Sequence, residues 1–239
     1  MDISIDIRGV LRTSMLDFPG KLSCVVFTNT CNFRCPFCYN PELALGKPSE
    51  PQVPVSEFFS FLESRKDWLQ GVAITGGEPT LHKGLSDFCR KIKELGFDVK
   101  LDSNGFSPEI LENLFSQNLV DYIAMDIKSS RENYEKAAGI SLDTDIIERS
   151  ISLIKEKAPD YEFRTTVIPG FVGEKELLSI GNWLSDSGTA KRFFLQQFKS
   201  DSRMIDSSLE GKNSFSPDEL KSFAEKLRPF FKEVGVRGI

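Results

Sequence analysis

Three cysteines lie in the short run Cys31-Asn32-Phe33-Arg34-Cys35-Pro36-Phe37-Cys38. The spacing, C-x3-C-x2-C, puts three soft thiolate ligands in one tight loop. A 4Fe–4S cluster has four irons, and each needs a ligand. Three thiolates hold three of them and leave the fourth open to another molecule. A structural zinc ion would require a fourth protein ligand. His82, the sole histidine, or Cys24 would have to supply it, and neither has zinc-site spacing. The chain has five cysteines, and in a reducing compartment such clustering favours metal binding over disulfides.

Further residues could do chemistry beside such a cluster. Gly76-Gly77-Glu78-Pro79 combines a backbone that a ligand can approach closely with a carboxylate suited to an ammonium group. Asp102-Ser103-Asn104-Gly105 and Asp126-Ile127-Lys128 are polar runs at the ends of apolar segments. In the latter, Asp126 and Lys128 share one strand face while Ile123, Met125 and Ile127 take the other. Arg164, Thr166 and Ile168 likewise share a face. Charges on interior strands are costly unless they meet a ligand or a counter-charge.

The elements that must position these groups alternate along the chain. Strands are expected over Leu22–Thr28, Gly71–Thr75, Phe97–Asp102, Asp121–Lys128, Glu162–Ile168 and Arg192–Phe198, with an extra one over Ile5–Arg12. Helices are expected over Ser56–Leu69, Lys83–Leu95, Pro108–Gln117, Thr144–Glu156, Glu174–Ser185 and Pro217–Lys232, plus a short one over Arg131–Ala138. Six strand–helix units imply an α/β fold with a parallel sheet, and eight would close a barrel. The expectation is a partial (β/α)6 TIM-type barrel, laterally open, with sites at the C-terminal strand ends. It forms one domain: an extension over 1–21, a core over 22–200, and a C-terminal loop and helix over 201–239. The polar stretch Ser200–Ser216 reads as a mobile lid or loop.

The bulk properties narrow the class. The chain has 239 residues, 40% apolar and 27% charged, which fits a globular domain. A net charge of −5 and the lack of a basic patch argue against nucleic acid. No apolar run approaches the ~20 residues that span a bilayer. The start, Met1-Asp2-Ile3-Ser4-Ile5-Asp6, lacks the pattern of a signal peptide, so a cytoplasmic location is expected.

The cysteine loop resembles the signature of the radical S-adenosylmethionine (SAM) superfamily. That resemblance implies one 4Fe–4S cluster on Cys31, Cys35 and Cys38, with SAM chelating the open iron through its amino and carboxylate groups. One electron then breaks a carbon–sulfur bond, giving methionine and a hydrogen-abstracting 5′-deoxyadenosyl radical. Phe37 matches the aromatic position beside adenine, and Gly76-Gly77-Glu78 the motif that binds the methionine amino group. The strand ends resemble pyruvate formate-lyase activating enzyme and its relatives. By that likeness Asp102, Ser103 and Asp126, with the Met125 carbonyl, would hold a monovalent cation near the methionine carboxylate, and Ser103 and Asn104 would contact the bound cofactor. Lys128 and Arg164 would contact the cofactor, Ile168 would wall the adenine, and Gln196 or Gln197 would reach the nucleoside where a relative has histidine.

Ser14-Met15-Leu16-Asp17-Phe18-Pro19-Gly20-Lys21, with Asn40-Pro41-Glu42, is similar to activases of glycyl radical enzymes, above all the anaerobic ribonucleoside-triphosphate reductase activating proteins. Thr30 stands where those relatives have glycine, and Tyr39 where they often have histidine. The resemblance implies a glycyl radical enzyme as protein substrate and a flavodoxin- or ferredoxin-type electron donor. Two readings compete with it: radical chemistry on a small molecule, and an electron carrier or cluster-based sensor without turnover. Cys24 and Cys89 read as small buried hydrophobes, which leaves no ligands for a second cluster. His82 reads as a surface polar group at a helix start, and Phe58-Phe59-Ser60-Phe61-Leu62 as helix core.

Overall fold

A computed structural model describes residues 3–186, 188–201 and 203–239. Met1 and Asp2 of the N-terminal run, and Ser202 of the expected lid, lie outside the described residues. The strands are β1 Ile7–Ser14, β2 Ser23–Thr28, β3 Gly71–Gly76, β4 Asp98–Ser103, β5 Tyr122–Asp126, β6 Tyr161–Val167, β7 Ala190–Gln197 and β8 Phe231–Arg237. They form one sheet in chain order. β1 pairs antiparallel with β2, and each later pair is parallel. The sheet does not close, so the architecture is a partial, laterally open barrel. The helices are α1 Pro41–Ala44, α2 Val55–Glu63, α3 Leu85–Glu94, α4 Pro108–Ser116, α5 Tyr134–Ala138, α6 Thr144–Lys157, α7 Glu174–Ser185 and α8 Pro217–Leu227. No helix among the described residues is long and apolar enough to cross a membrane.

Alternation along the strands divides two environments. Ile123, Met125 and Ile127 pack with helix residues such as Leu111, Leu114, Ile147 and Ile151 in one large apolar core. The other face of β5 carries Tyr122, Ala124 and Asp126. Phe18, from the turn after β1, packs on Tyr122 and Ala124 as a separate small cluster. Asp17, at the N-terminal strand ends, lines the same interior cavity as the cysteine loop. The described part of the extension, over 3–21, therefore packs as part of the barrel.

The C-terminal expectation needs correction. α8 begins as the sequence implies, with Ser216 and Glu219 exchanging capping hydrogen bonds. It stops at Leu227, not at Lys232. Pro229 lacks an N–H and disfavours helix in the residue before it. The chain makes a single tight turn over Arg228–Phe230 and then runs as β8 against β7. The α2 helix also ends early, at Glu63, and Trp68 beyond it is exposed. The stretch over 200–216 is not a free lid. Asp206 N donates to Pro36 O at 2.9 Å, and Met204 and Leu209 are buried. His82 is half-buried, accepting from Asp6 N on Nδ1 and facing Asn29 O with Nε2 at 3.1 Å. Cys24, Cys89, Phe58 and Phe59 are buried as expected.

Phe231 tests whether β8 belongs to the sheet. Its ring stacks on Phe193 at 4.7 Å and 9°, and it is 5% exposed. Phe231→Ala should cost about 3 kcal/mol in urea unfolding, as for other buried aromatics. A loss under about 1 kcal/mol, the range of ordinary surface changes, would mean that the segment is not packed as a strand.

Candidate functional site

The cysteine loop leaves β2 at Thr28 and is clamped at two points by glycine. Thr30 O accepts from Glu78 N at 2.7 Å, and Thr28 O accepts from Gly77 N at 2.9 Å. A Cβ on Gly77 would lie 1.8 Å from Thr30 O, so only glycine fits. On the other side Arg34 N donates to Ala138 O at 2.8 Å, and a Cβ on Gly139 would lie 2.1 Å from Arg34 O. Gly139 also has φ +68°, the left-handed turn that ends α5. Thr30 itself sits at φ +60°, a strained choice for a β-branched residue and the conformation for which glycine is better suited.

The three thiols are free; Cys35 is buried and Cys31 and Cys38 are half-buried. Burial pushes Cys35 up to about 12 and, with help from the Glu78 carboxylate, Cys31 up to about 11. Burial raises Cys38 as well. Such thiols give up their protons to a metal that coordinates them. Among the described residues no three His, Cys, Asp or Glu side chains gather tightly enough for a single ion. Cys31, Cys35 and Cys38 instead line one wall of a cavity of about 490 Å3. Hydrogen-bond donors face this loop: Asn104 Nδ2 lies 3.8 Å from Cys31 Sγ, and Asn32 Nδ2 is buried with no partner. Donors near the sulfurs tune a cluster's potential. The donor set and its surroundings fit a 4Fe–4S cluster.

Glu78 is 1% exposed and both its oxygens are engaged. Thr80 donates from N and Oγ1, and Ser103 from Oγ, to Oε1; Asn104 N donates to Oε2. This carboxylate ties the β3 turn to the β4 turn. Burial raises its pKa against the pull of those bonds.

Across the cavity the charged side chains form a relay. The Lys100 ammonium meets Asp102 Oδ1. Arg164 donates from Nη1 to Asp102 Oδ2 at 3.2 Å and from Nε to Asp126 Oδ1 at 2.9 Å. Lys128 Nζ donates to Asp126 Oδ2 at 3.2 Å. Burial opposes ionisation of Asp126, yet Arg164 and Lys128 outweigh it and hold the carboxyl near 2. Asp102 lies below its usual range for the same reasons, through Arg164 and Lys100. Lys128 and Arg164 are raised in turn, their burial outweighed by the same carboxylates.

Most of the residues singled out in the sequence meet at this cavity: Phe37, Gly76, Gly77, Glu78, Asp102, Ser103, Asn104, Asp126, Lys128, Arg164, Gln196 and Gln197 all line it. Phe37 packs edge-on against Phe171 at 5.9 Å. Gln197 donates to Phe215 O at 2.8 Å while its Oε1 is buried without a partner among the described residues, an acceptor available to a ligand. Ile168 is the exception. It lies beyond β6, buried in a bridge with Val172, and Thr166 lines the cavity instead. Three features escaped sequence reasoning. Lys100 gave a signal, an ionisable residue in an apolar strand run. Glu162 is fully buried, accepting from Tyr122 Oη at 2.6 Å and from both Arg237 Nη atoms at 2.6 and 2.8 Å. Arg237, which also lines the cavity, gives no such signal, because no strand is expected beyond the helix over Pro217–Lys232.

Two measurements probe this geometry. Gly139→Ala should abolish retention of iron and sulfide on anaerobic reconstitution. Gly170→Ala, at φ +84° with open space around it, should cost about 1 kcal/mol of stability and keep the cluster. Equal cluster loading of the two variants would show that the Arg34 contact does not seat the loop. For Asp126, the folded pKa lies below the free value, so the ionised group stabilises the fold above about pH 4 and that contribution is lost as pH falls toward about 2. Urea midpoints of the wild type should fall more steeply over that window than those of Asp126→Asn; parallel curves would contradict the relay.

Comparison with known proteins agrees with this architecture. Residues 25–178 match the family model described as the Radical SAM superfamily. A protein of Methanocaldococcus jannaschii named "Putative glycyl-radical enzyme activating enzyme" is 32% identical over 198 residues, which cover 81% of this chain and 80% of the relative. The GTP 3′,8-cyclase of Aliarcobacter butzleri is 25% identical over 88% of this chain and 64% of its own length. In fold, the crystal structure of Streptococcus suis SuiB bound to the precursor peptide SuiA superposes with a TM-score of 0.68 at 14% identity, over 90% of this chain and 48% of SuiB. With a family model matched across most of the barrel and its three-cysteine loop in place, this chain belongs to the radical SAM superfamily, whose members use a 4Fe–4S cluster and S-adenosylmethionine.

Proposed function

We propose that this radical SAM enzyme is an activase that generates a glycyl radical on a partner enzyme such as an anaerobic ribonucleotide reductase. The observation that carries this reading is the size of the cavity. At about 490 Å3 it lies within the range of a single small-ligand site, ~300–1,000 Å3. It must house both the cluster and SAM, so little enclosed space is left for a separate metabolite. A substrate must then reach the chemistry from the rim. There, beside the cysteine loop, Tyr39 and Leu45 are 39% and 42% exposed. Exposed apolar groups beside a reactive site suit contact with another protein. The M. jannaschii relative's name points the same way.

When bound and reduced, the cluster supplies the electron that cleaves SAM to methionine and a 5′-deoxyadenosyl radical. The chain's own residues bind and orient. Cys31, Cys35 and Cys38 hold three corners. The backbone of Gly76 and Gly77 approaches the methionine amino group, and Glu78 holds that backbone and the Ser103–Asn104 turn in register. Lys128 and Arg164 face the carboxylate. Phe37 and Gln196 or Gln197 take the adenosine end, with the unpaired Gln197 Oε1 as an acceptor.

The GTP 3′,8-cyclase relative favours a second reading, radical chemistry on a small molecule. Gln196, Lys199 and Arg237, which line the cavity, would then supply polar contacts. One experiment separates the two. The reduced, reconstituted protein is mixed with SAM and candidate glycyl radical enzymes without oxygen, or with GTP. A stable organic radical signal that requires the partner, with one 5′-deoxyadenosine released per radical, supports the activase. Conversion of GTP without any protein radical supports the alternative.

A further inference from the structure

Lys100 is 2% exposed in a run, Val99-Lys100-Leu101, that is otherwise apolar and fully buried. A buried ammonium persists only with a charged partner, and its partner is Asp102 Oδ1. The other Asp102 oxygen and one of Asp126 accept from Arg164, and the last accepts from Lys128. All four carboxylate oxygens therefore face cations of the chain itself. The hydroxyl of Ser103, the third expected oxygen ligand, donates to Glu78 Oε1 at 2.9 Å and accepts from Gly105 N at 3.0 Å. A hard cation needs several free oxygens converging on it. These residues do not fit one: an added ion would sit beside two or three positive charges, and every carboxylate oxygen it could use already faces a cation of the chain. Lys100, Arg164 and Lys128 outnumber Asp102 and Asp126 by one charge. Such an excess suits an anion.

We propose that Lys100 stands in for the monovalent cation, so that the relay receives the carboxylate of SAM without any metal ion at Asp102 and Asp126. The inference rests on the reading that the amino-acid end of SAM lies at these strand ends. Lys100 does not line the cavity. It is a positioning residue: it offsets the charge of Asp102 from beneath, so that the paired relay keeps one positive charge in excess to attract the ligand.

The test measures SAM affinity by equilibrium dialysis against the reconstituted full chain in sodium, potassium or choline chloride at equal ionic strength. For the wild type we expect dissociation constants within about twofold of one another. Lys100→Met should bind about tenfold more weakly in choline and recover in sodium or potassium, because the freed Asp102 oxygen then takes an ion. Weakening of the wild type by about tenfold in choline would overturn the proposal. So would a Lys100→Met variant that binds like the wild type in every salt. If that variant does not fold, the wild-type salt series decides alone. A wild type that binds no SAM in any salt would refute the cofactor's placement, and the role of Lys100 with it.

Discussion

The backbone of one loop must pass against the backbone of two neighbouring turns with no side chain between them. Gly77 and Gly139 permit this, at Thr30 and Arg34 respectively. The first contact ties the cysteine loop to the end of β3, the second to the end of α5. Glu78 extends the first by gathering Thr80, Ser103 and Asn104 around one buried carboxylate. The positions of the three thiols, the Gly-Gly turn and the β4 exit are therefore set together. Movement of any one would break hydrogen bonds at the other two.

Charge organises the opposite wall. An interior strand face bearing Lys100, Asp102, Asp126, Glu162 and Arg164 would be unstable as isolated ions. Each instead meets a partner: Lys100 pairs with Asp102 on its own strand, Arg237 reaches Glu162 from two strands away, and Arg164 serves two carboxylates at once, Asp126 on the neighbouring strand and Asp102 one strand further, with the forked geometry that suits it. The parallel register that aligns Asp126 with Arg164 makes the pairing possible. The polar interior is thus a consequence of strand order as much as of composition.

Much of this was legible in the sequence. The cysteine spacing, the alternating apolar runs and the capped start of α8 each carry a local physical signal. The missing parts were those decided by contacts distant in the chain. Nothing local distinguishes Phe231–Arg237 from a fraying helix end, since the strand is stabilised by β7 and by the Phe193 ring. Pro229 was the one available cue. Arg237 could not be assigned to the cavity until that strand existed, and its bond to Glu162 joins residues 75 apart in the chain. Ile168 failed for a related reason. Face alternation holds only within a strand, and β6 ends at Val167.

A barrel left open has two strand edges, and unpaired edges invite other chains to add on. Here neither edge is an easy template. β1 is interrupted by register shifts beside Gly9 and before Ser14, and carries Arg8 and Arg12. β8 carries Lys232, Glu233 and Arg237, with Gly235 at its middle. The gap that could admit a substrate loop is thereby guarded against self-association. Whatever approaches the opening must be recognised by side chains, because the backbone on either side offers a poor ladder.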